Sequence, residues 1–80
     1  MTILDLTSGV VEVVNGWCTG ATDTLECVDR VEKWLNDHYE LTTGGEYFTV
    51  GNRNEDGSYN VYEDDLSTDN RVLRFRVVMQ

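Results

Sequence analysis

The sequence lacks proline altogether and has no repeat, linker or low-complexity tract in its 80 residues. Its longest apolar stretches are pairs and triples such as Val13–Val14 and Val77–Met79. A membrane-spanning helix needs about 20 apolar residues, and a secretory leader has a basic start and an apolar middle. Neither pattern is present. We therefore predict one cytoplasmic domain over residues 1–80 that does not contact a membrane.

Groups that bind metals or act in catalysis are scarce as well. Cys18, Cys27 and His38 are the only cysteines and histidine, and their spacing matches no zinc pattern. Cys27 and His38 lie about three helical turns apart, so one helix cannot bring them together as a nucleophile pair. The segment 52–64 lacks the spacing of a calcium loop. We predict no catalytic residue, no metal and no cofactor, and hence a protein that is not an enzyme.

The two cysteines bear on the redox environment of the protein. So few cysteines fit a reducing compartment better than a disulfide-stabilised scaffold. We favour free thiols that pack as small hydrophobic side chains. A bridge between Cys18 and Cys27, which would close a short loop, is the alternative.

One segment of the chain, from about Thr24 to Tyr39, has a strong helical pattern. Asp23 occupies an N-cap position and Glu26 lies three residues further on, as in a capping box. At about 100° per residue the apolar side chains share one broad face and the charged ones take the other. The apolar face comprises Cys27, Val28, Val31, Trp34, Leu35, His38 and Tyr39.

The second half of the sequence is typical of strands. We predict strands over Glu46–Val50, Ser58–Glu63 and Arg71–Met79, with polar turns at 52–57 and 64–70. In the last strand, strict alternation puts Phe75 and Val77 on one face and Arg74 and Arg76 on the other. We predict an α+β fold, in which a small antiparallel meander of three or four strands packs against one main helix.

The segment before the helix has two interpretations. Val10–Val14 is β-branched and favours a strand, which gives the order β-α-β-β-β. Leu6, Val10, Val13, Val14 and Trp17 also form a helical stripe, which would give the order α-α-β-β-β. We favour the strand.

Negative charge dominates the composition. Asp and Glu number 15 against six Lys and Arg, for a formal net charge of -9. This sign disfavours nucleic acid as a direct partner, because phosphates repel carboxylates, and favours a basic protein surface. Most charge runs are solvated surface. Side chains on one face of a strand are spaced by about two rises of ~3.3 Å, and a nucleic-acid backbone carries one charge per ~3.4 Å per strand. Rows of carboxylates on strands can therefore imitate rows of phosphates.

In size, charge and α+β layout the chain resembles the small acidic inhibitors that phages and mobile elements make, such as anti-CRISPR and anti-restriction proteins and the uracil-DNA glycosylase inhibitor. The local feature that carries the resemblance is the acidic hairpin Tyr62–Asn70, which leads into an apolar strand. The resemblance implies a protein that binds a basic host protein or nucleoprotein complex, such as a CRISPR-Cas complex, by acidic mimicry. Its partner-binding residues would be Glu55, Asp56, Glu63, Asp64, Asp65 and Asp69, with Asp37 and Glu40 extending the patch and Tyr62 as an aromatic contact.

Three other functions fit the same composition. A small structural or regulatory module could self-associate through an apolar surface or an edge strand. An immunity protein against a basic toxin would carry a similar acidic surface. A protein adapted to high salt would also be poor in lysine, and this chain has only Lys33.

Overall fold

A computed structural model describes residues 1–15, 24–41, 46–65 and 70–79 of the chain. It contains the strands β1 (Thr2–Asp5) and β2 (Val11–Val13), the helix α1 (Thr24–His38), and the strands β3 (Tyr47–Arg53), β4 (Ser58–Asp65) and β5 (Asn70–Val78). The strands form one antiparallel sheet in the order β2-β1-β5-β4-β3. The predicted α+β class is confirmed, and Val11–Val13 is a strand rather than a helix. The structure adds the strand β1, which pairs with β5.

The core lies between α1 and one face of the sheet. Val31 and Leu35 of the helix are fully buried against side chains from four strands. Trp34 and Tyr39 pack around this core, and the Tyr39 ring lies 4.8 Å from that of Phe75. The predicted apolar face of the helix is therefore the face that packs, except that His38 is exposed and stacks on Trp34. The core consists of Met1, Ile3, Val31, Leu35, Phe48, Val61, Phe75 and Val77.

The helix also covers the edge of the sheet at β3. The Phe48 N–H donates to Oδ1 of Asn36 at 2.8 Å, and Nδ2 of Asn36 donates to the Phe48 carbonyl at 3.2 Å. The Val50 N–H donates to the Glu32 carboxylate at 3.3 Å. Side chains of α1 thus bond backbone groups that an edge strand otherwise leaves open to another chain.

The turn between β1 and β2 is held by Asp5. Its Oδ1 accepts from the backbone N–H groups of Thr7 and Ser8, at 2.9 and 3.3 Å. Gly9 has a φ of 77°, which a glycine adopts without strain. Burial raises the pKa of Asp5, but these hydrogen bonds and the charge of Arg74 outweigh it and hold the pKa below its ordinary value.

Cys27 is disulfide-bonded, so the prediction of free thiols is wrong. The chain has one other cysteine, Cys18, which lies outside the described residues. The bond removes the cysteine-based argument for a reducing compartment. Among the residues that the structure describes, no helix is long and apolar enough to span a membrane.

Candidate interaction surfaces

Glu55 and Asp56 lie at the tip of the hairpin that joins β3 to β4. The Asn54 N–H donates to the Ser58 carbonyl at 2.7 Å, and the Gly57 N–H donates to the Asn54 carbonyl at 3.0 Å. Gly57 has a φ of 88°, as expected of the glycine that closes a three-residue hairpin loop. The predicted turn at this position is confirmed. Both carboxylates are exposed.

Asp56 also has a structural task in this loop. Its Oδ1 accepts from the Ser58 hydroxyl at 2.6 Å and from the Ser58 N–H at 2.9 Å. The hydroxyl first, and then the N–H, hold the pKa of Asp56 below its ordinary value. Oδ1 of Asp56 is therefore occupied by hydrogen bonds within the turn. Glu55, by contrast, makes no hydrogen bond or ion pair with the described part of the chain.

Glu63 is not on the surface, which corrects the predicted site. It is 1% exposed, and its carboxylate accepts from Nη1 of Arg74 at 3.1 Å. The Arg74 guanidinium lies 4.9 Å from the ring centroid of Phe75 and 5.5 Å from that of Phe48. A buried ion pair between aromatic rings cannot serve as part of an outward row of carboxylates.

A bulge in β5 explains this burial. Val61 pairs with Phe75, but the next residue, Tyr62, pairs with Leu73, so Arg74 is an extra residue in its strand. The bulge breaks the two-residue alternation and lets Arg74 and Phe75 both lie against the core. The predicted alternation, which put Arg74 on the face opposite Phe75, is therefore wrong at this position.

Asp64 is partly buried and neutralised by a neighbour. Its Oδ1 accepts from Nε of Arg71 at 2.9 Å, and the guanidinium of Arg71 lies 4.5 Å from the ring centroid of Tyr62. Tyr62, predicted as an aromatic contact for a partner, is therefore covered on one face. Asp69 and the side chain of Asp65 lie outside the described part of the chain.

Asp37 and Glu40 are exposed, as predicted, at the end of α1. The contact of Asn36 with Phe48 brings this end of the helix to the start of β3. There the exposed Glu46 precedes the strand, and its N–H donates to the Asp64 carbonyl at 2.7 Å. We call Asp37, Glu40 and Glu46 the helix-end acidic surface. The sequence prediction omitted Glu46, although its position just before a strand on the return from the helix could have indicated it.

The predicted acidic residues do not form one continuous patch. Asp56 lies in the turn just before β4, and Asp64 lies near the other end of that strand. Six residues of extended chain separate Ser58 from Asp64, which is about 20 Å at about 3.3 Å per residue. The hairpin tip and the helix-end acidic surface are therefore at opposite ends of the sheet. A partner that contacts both must extend along the whole strand.

Most exposed carboxylates of the described residues form no ion pair with another described residue. The described residues form three ion pairs, Arg30–Glu26, Arg71–Asp64 and Arg74–Glu63, which occupy three of the six cationic side chains. Within the described ranges, the following exposed carboxylates take part in no ion pair or hydrogen bond: Asp29, Asp37, Glu40, Glu46 and Glu55. The electrostatic field of these carboxylates can therefore attract a cationic partner.

No group of three or more metal-binding side chains comes together among the described residues. Comparison of the chain with protein-family models, with curated proteins and with solved structures finds no match.

Proposed function

We propose that this protein is an inhibitor of the phage or mobile-element type. It binds a basic, nucleic-acid-binding surface of a host defence or repair protein, such as a CRISPR-Cas complex, by acidic mimicry. It acts by binding and not by catalysis, in the cytoplasm where such targets work, although a disulfide such as that of Cys27 is uncommon there. The observation that carries the proposal is the exposure of Asp37, Glu40 and Glu46, whose carboxylates form no ion pair with the described residues.

The helix-end acidic surface fits this task better than the residues on β4. Asp37, Glu40 and Glu46 are exposed and make no ion pair with the described residues, whereas Glu63 is buried and Asp64 is paired. A helix C-terminus favours cations, so acidic residues there do not serve local stability. A cationic partner would supply the countercharge, and long-range attraction would speed its association.

Two charge-reversal variants test the proposal. Asp37→Lys with Glu46→Lys reverses the helix-end acidic surface, and Asp29→Lys with Glu55→Lys makes the same change in net charge elsewhere. Capture from bacterial lysate at low and high salt identifies the target, and the binding of that purified target is then measured for each variant. We expect the first variant to bind at least about tenfold more weakly, mainly through slower association, and the second to bind nearly as well as the native chain.

Competition with nucleic acid provides the second arm of this test. If the inhibitor occupies a nucleic-acid groove, a duplex or single strand that the target binds must displace it. A target without basic nucleic-acid-binding surface, or equal binding by both variants, would contradict the proposal. A target that is a basic toxin would instead identify an immunity protein.

The alternative of a self-associating module has one observation in its favour. Val11 and Val13 of the edge strand β2 are 59% and 64% exposed. The oligomeric state of the chain separates this alternative from acidic mimicry, which needs no second copy.

A further inference from the structure

A cavity of about 620 Å³ lies beside the second half of β3, beyond the residues that bond to α1. Val50 is the last residue of β3 that bonds to α1 by its backbone, and the cavity extends along the next four residues, 51–54. One wall comes from the first turns of α1, at Leu25 and Val28. The lining also includes Asn60 and Tyr62 of β4 and Arg71 of β5.

The charged side chains that line this cavity are positive, whereas most charged side chains of the protein are negative. Among the described residues no Asp or Glu lines it, whereas two of the five arginines of the chain, Arg53 and Arg71, do. Arg53 forms no ion pair with the described residues. The partner of Arg71, Asp64, lies outside the lining, and the Arg71 side chain is 53% exposed. Because Arg71 pairs with Asp64, Arg53 supplies the net positive charge of the described lining, within a protein of strongly negative charge.

The cavity also has an apolar side and a rigid wall. Leu25 is 78% exposed, and with Val28 it gives the first turns of α1 an apolar surface towards the cavity. β3 bulges between Val50 and Arg53. A Cβ at Gly51 would lie 2.9 Å from Cε2 of Tyr62, so only glycine lets the Tyr62 ring pack directly against this part of β3.

We propose that this cavity binds a small organic anion. Its carboxylate or phosphate group contacts Arg53, which forms no ion pair with the described residues and whose guanidinium can bind such an anion in a bidentate manner. Its apolar body lies against Leu25 and Val28. The volume falls within the range of about 300–1,000 Å³ that is usual for small-molecule sites. The site is independent of the proposed inhibitor function, because none of the exposed carboxylates that carry that proposal lines it.

Titration followed by NMR tests this proposal at low ionic strength. Adenosine monophosphate probes a phosphate and benzoate probes a carboxylate, and the neutral adenosine and benzyl alcohol are their matched controls. We expect shifts of the Gly51 and Asn60 amide signals with at least one anion and not with its neutral control. The anion that binds more tightly identifies the class of ligand. Equal binding of the neutral compounds, or no shift with either anion, overturns the proposal.

Variants at the rim locate the binding. Leu25→Glu adds a carboxylate to the cavity, and Leu25→Gln adds a neutral side chain of the same size. Because Leu25 is exposed in the first turn of the helix, where acidic residues are favourable, both variants should fold. We expect at least fivefold weaker anion binding by Leu25→Glu than by Leu25→Gln.

Two arginine variants complete the test. Arg53→Gln should weaken anion binding at least fivefold, whereas Arg76→Gln, an exposed arginine that does not line the cavity, should leave it unchanged. Equal loss in both variants would mean that the anion responds to net charge only, which would overturn the assignment to this cavity.

Discussion

Glu63 and Arg74 form an ion pair within the hydrophobic core, where their side chains are 0% and 6% exposed. Taking two charges out of water is costly, and the attraction between them offsets this cost only while both are present. Loss of Glu63 therefore removes the carboxylate that accepts from the buried Arg74 guanidinium. At the surface, Arg30 and Glu26 form a comparable pair that water can replace.

This difference gives a prediction for single and double variants. Glu63→Gln should lower the free energy of unfolding by about 3–5 kcal/mol, whereas Glu26→Gln should lower it by less than about 1 kcal/mol. The double variant Glu63→Leu with Arg74→Met should recover most of the loss, because an apolar pair of similar volume needs no counterion. Denaturant unfolding measures all three. Equal effects of the two Gln variants would show that burial does not strengthen the pair.

Single residues also decide how much of the site the sequence could predict. The charges of Glu63, Asp64 and Arg74 are evident in the sequence, but the pattern of alternate residues assigns Arg74 to the surface. The bulge that turns it inward depends on how β5 pairs with β4, which is a long-range property. The same holds for Arg71, whose contact with Asp64 depends on the register of the two strands. Exposure at Asp37, Glu40 and Glu55 was predictable because polar residues at a helix end and a turn remain solvated.

Among the elements, α1 acts both as a cover for the core and as a cap for the edge of β3. Asn36 contributes most to the second task, because its amide both donates to and accepts from the backbone of Phe48. Asn36 thus makes with Phe48 the two hydrogen bonds that a neighbouring strand would otherwise make. A sequence pattern does not reveal it, because Asn36 is one of several polar residues on the helix and its partner lies 12 residues away.

Replacing Asn36 tests this capping role. Asn36→Ala removes both hydrogen bonds to Phe48 and should lower the free energy of unfolding by about 1–3 kcal/mol. The amide hydrogen of Phe48 should exchange with solvent faster in this variant. Asp37→Ala, at the next position of the helix, should change stability by less than about 0.5 kcal/mol because Asp37 is exposed. An unchanged exchange rate at Phe48 would rule out Asn36 as the cap.

The strands show the same division between local and long-range information. β3, β4 and β5 follow from apolar alternation and turn residues, and β2 follows from its β-branched residues. β1 has too few residues for such a pattern and is a strand because it pairs on both sides, with β2 and with β5. The helix was predictable to within one residue because its apolar face repeats at helical spacing, whereas the predicted N-cap, Asp23, lies outside the described residues.

At the scale of the whole molecule, the two edges of the sheet differ in protection. Side chains of α1 bond the outer backbone groups of β3. β2 pairs with β1 alone among the described strands, and its one described contact outside the sheet is the Glu12 carboxylate, which accepts from the Tyr39 hydroxyl. The backbone hydrogen bonds that join Met1 to Val14 and Asp5 to Val10 show that Val11 and Val13 direct their own N–H and C=O groups away from β1. The outward N–H and C=O groups of such an edge can pair with a strand of a second copy of the chain.

Glu12 is the feature that opposes this pairing. If two β2 edges pair in antiparallel fashion with Val11 opposite Val13, the two Glu12 residues face each other at the centre, with Cα atoms about 4.5 Å apart. Like charges at this distance are destabilising, and each copy adds a net charge of -9. We therefore expect the native chain to be a monomer, as the inhibitor proposal requires.

The corresponding prediction is that Glu12→Val makes the chain associate. The variant has an uninterrupted β-branched edge from Val10 to Val14, which favours strand pairing between copies. Sedimentation velocity should show dimers or larger species for Glu12→Val but a monomer for Glu55→Val, which loses the same charge at the hairpin tip. A native chain that is already dimeric would favour the self-associating module over acidic mimicry. Monomeric behaviour of both variants would show that Glu12 does not protect this edge.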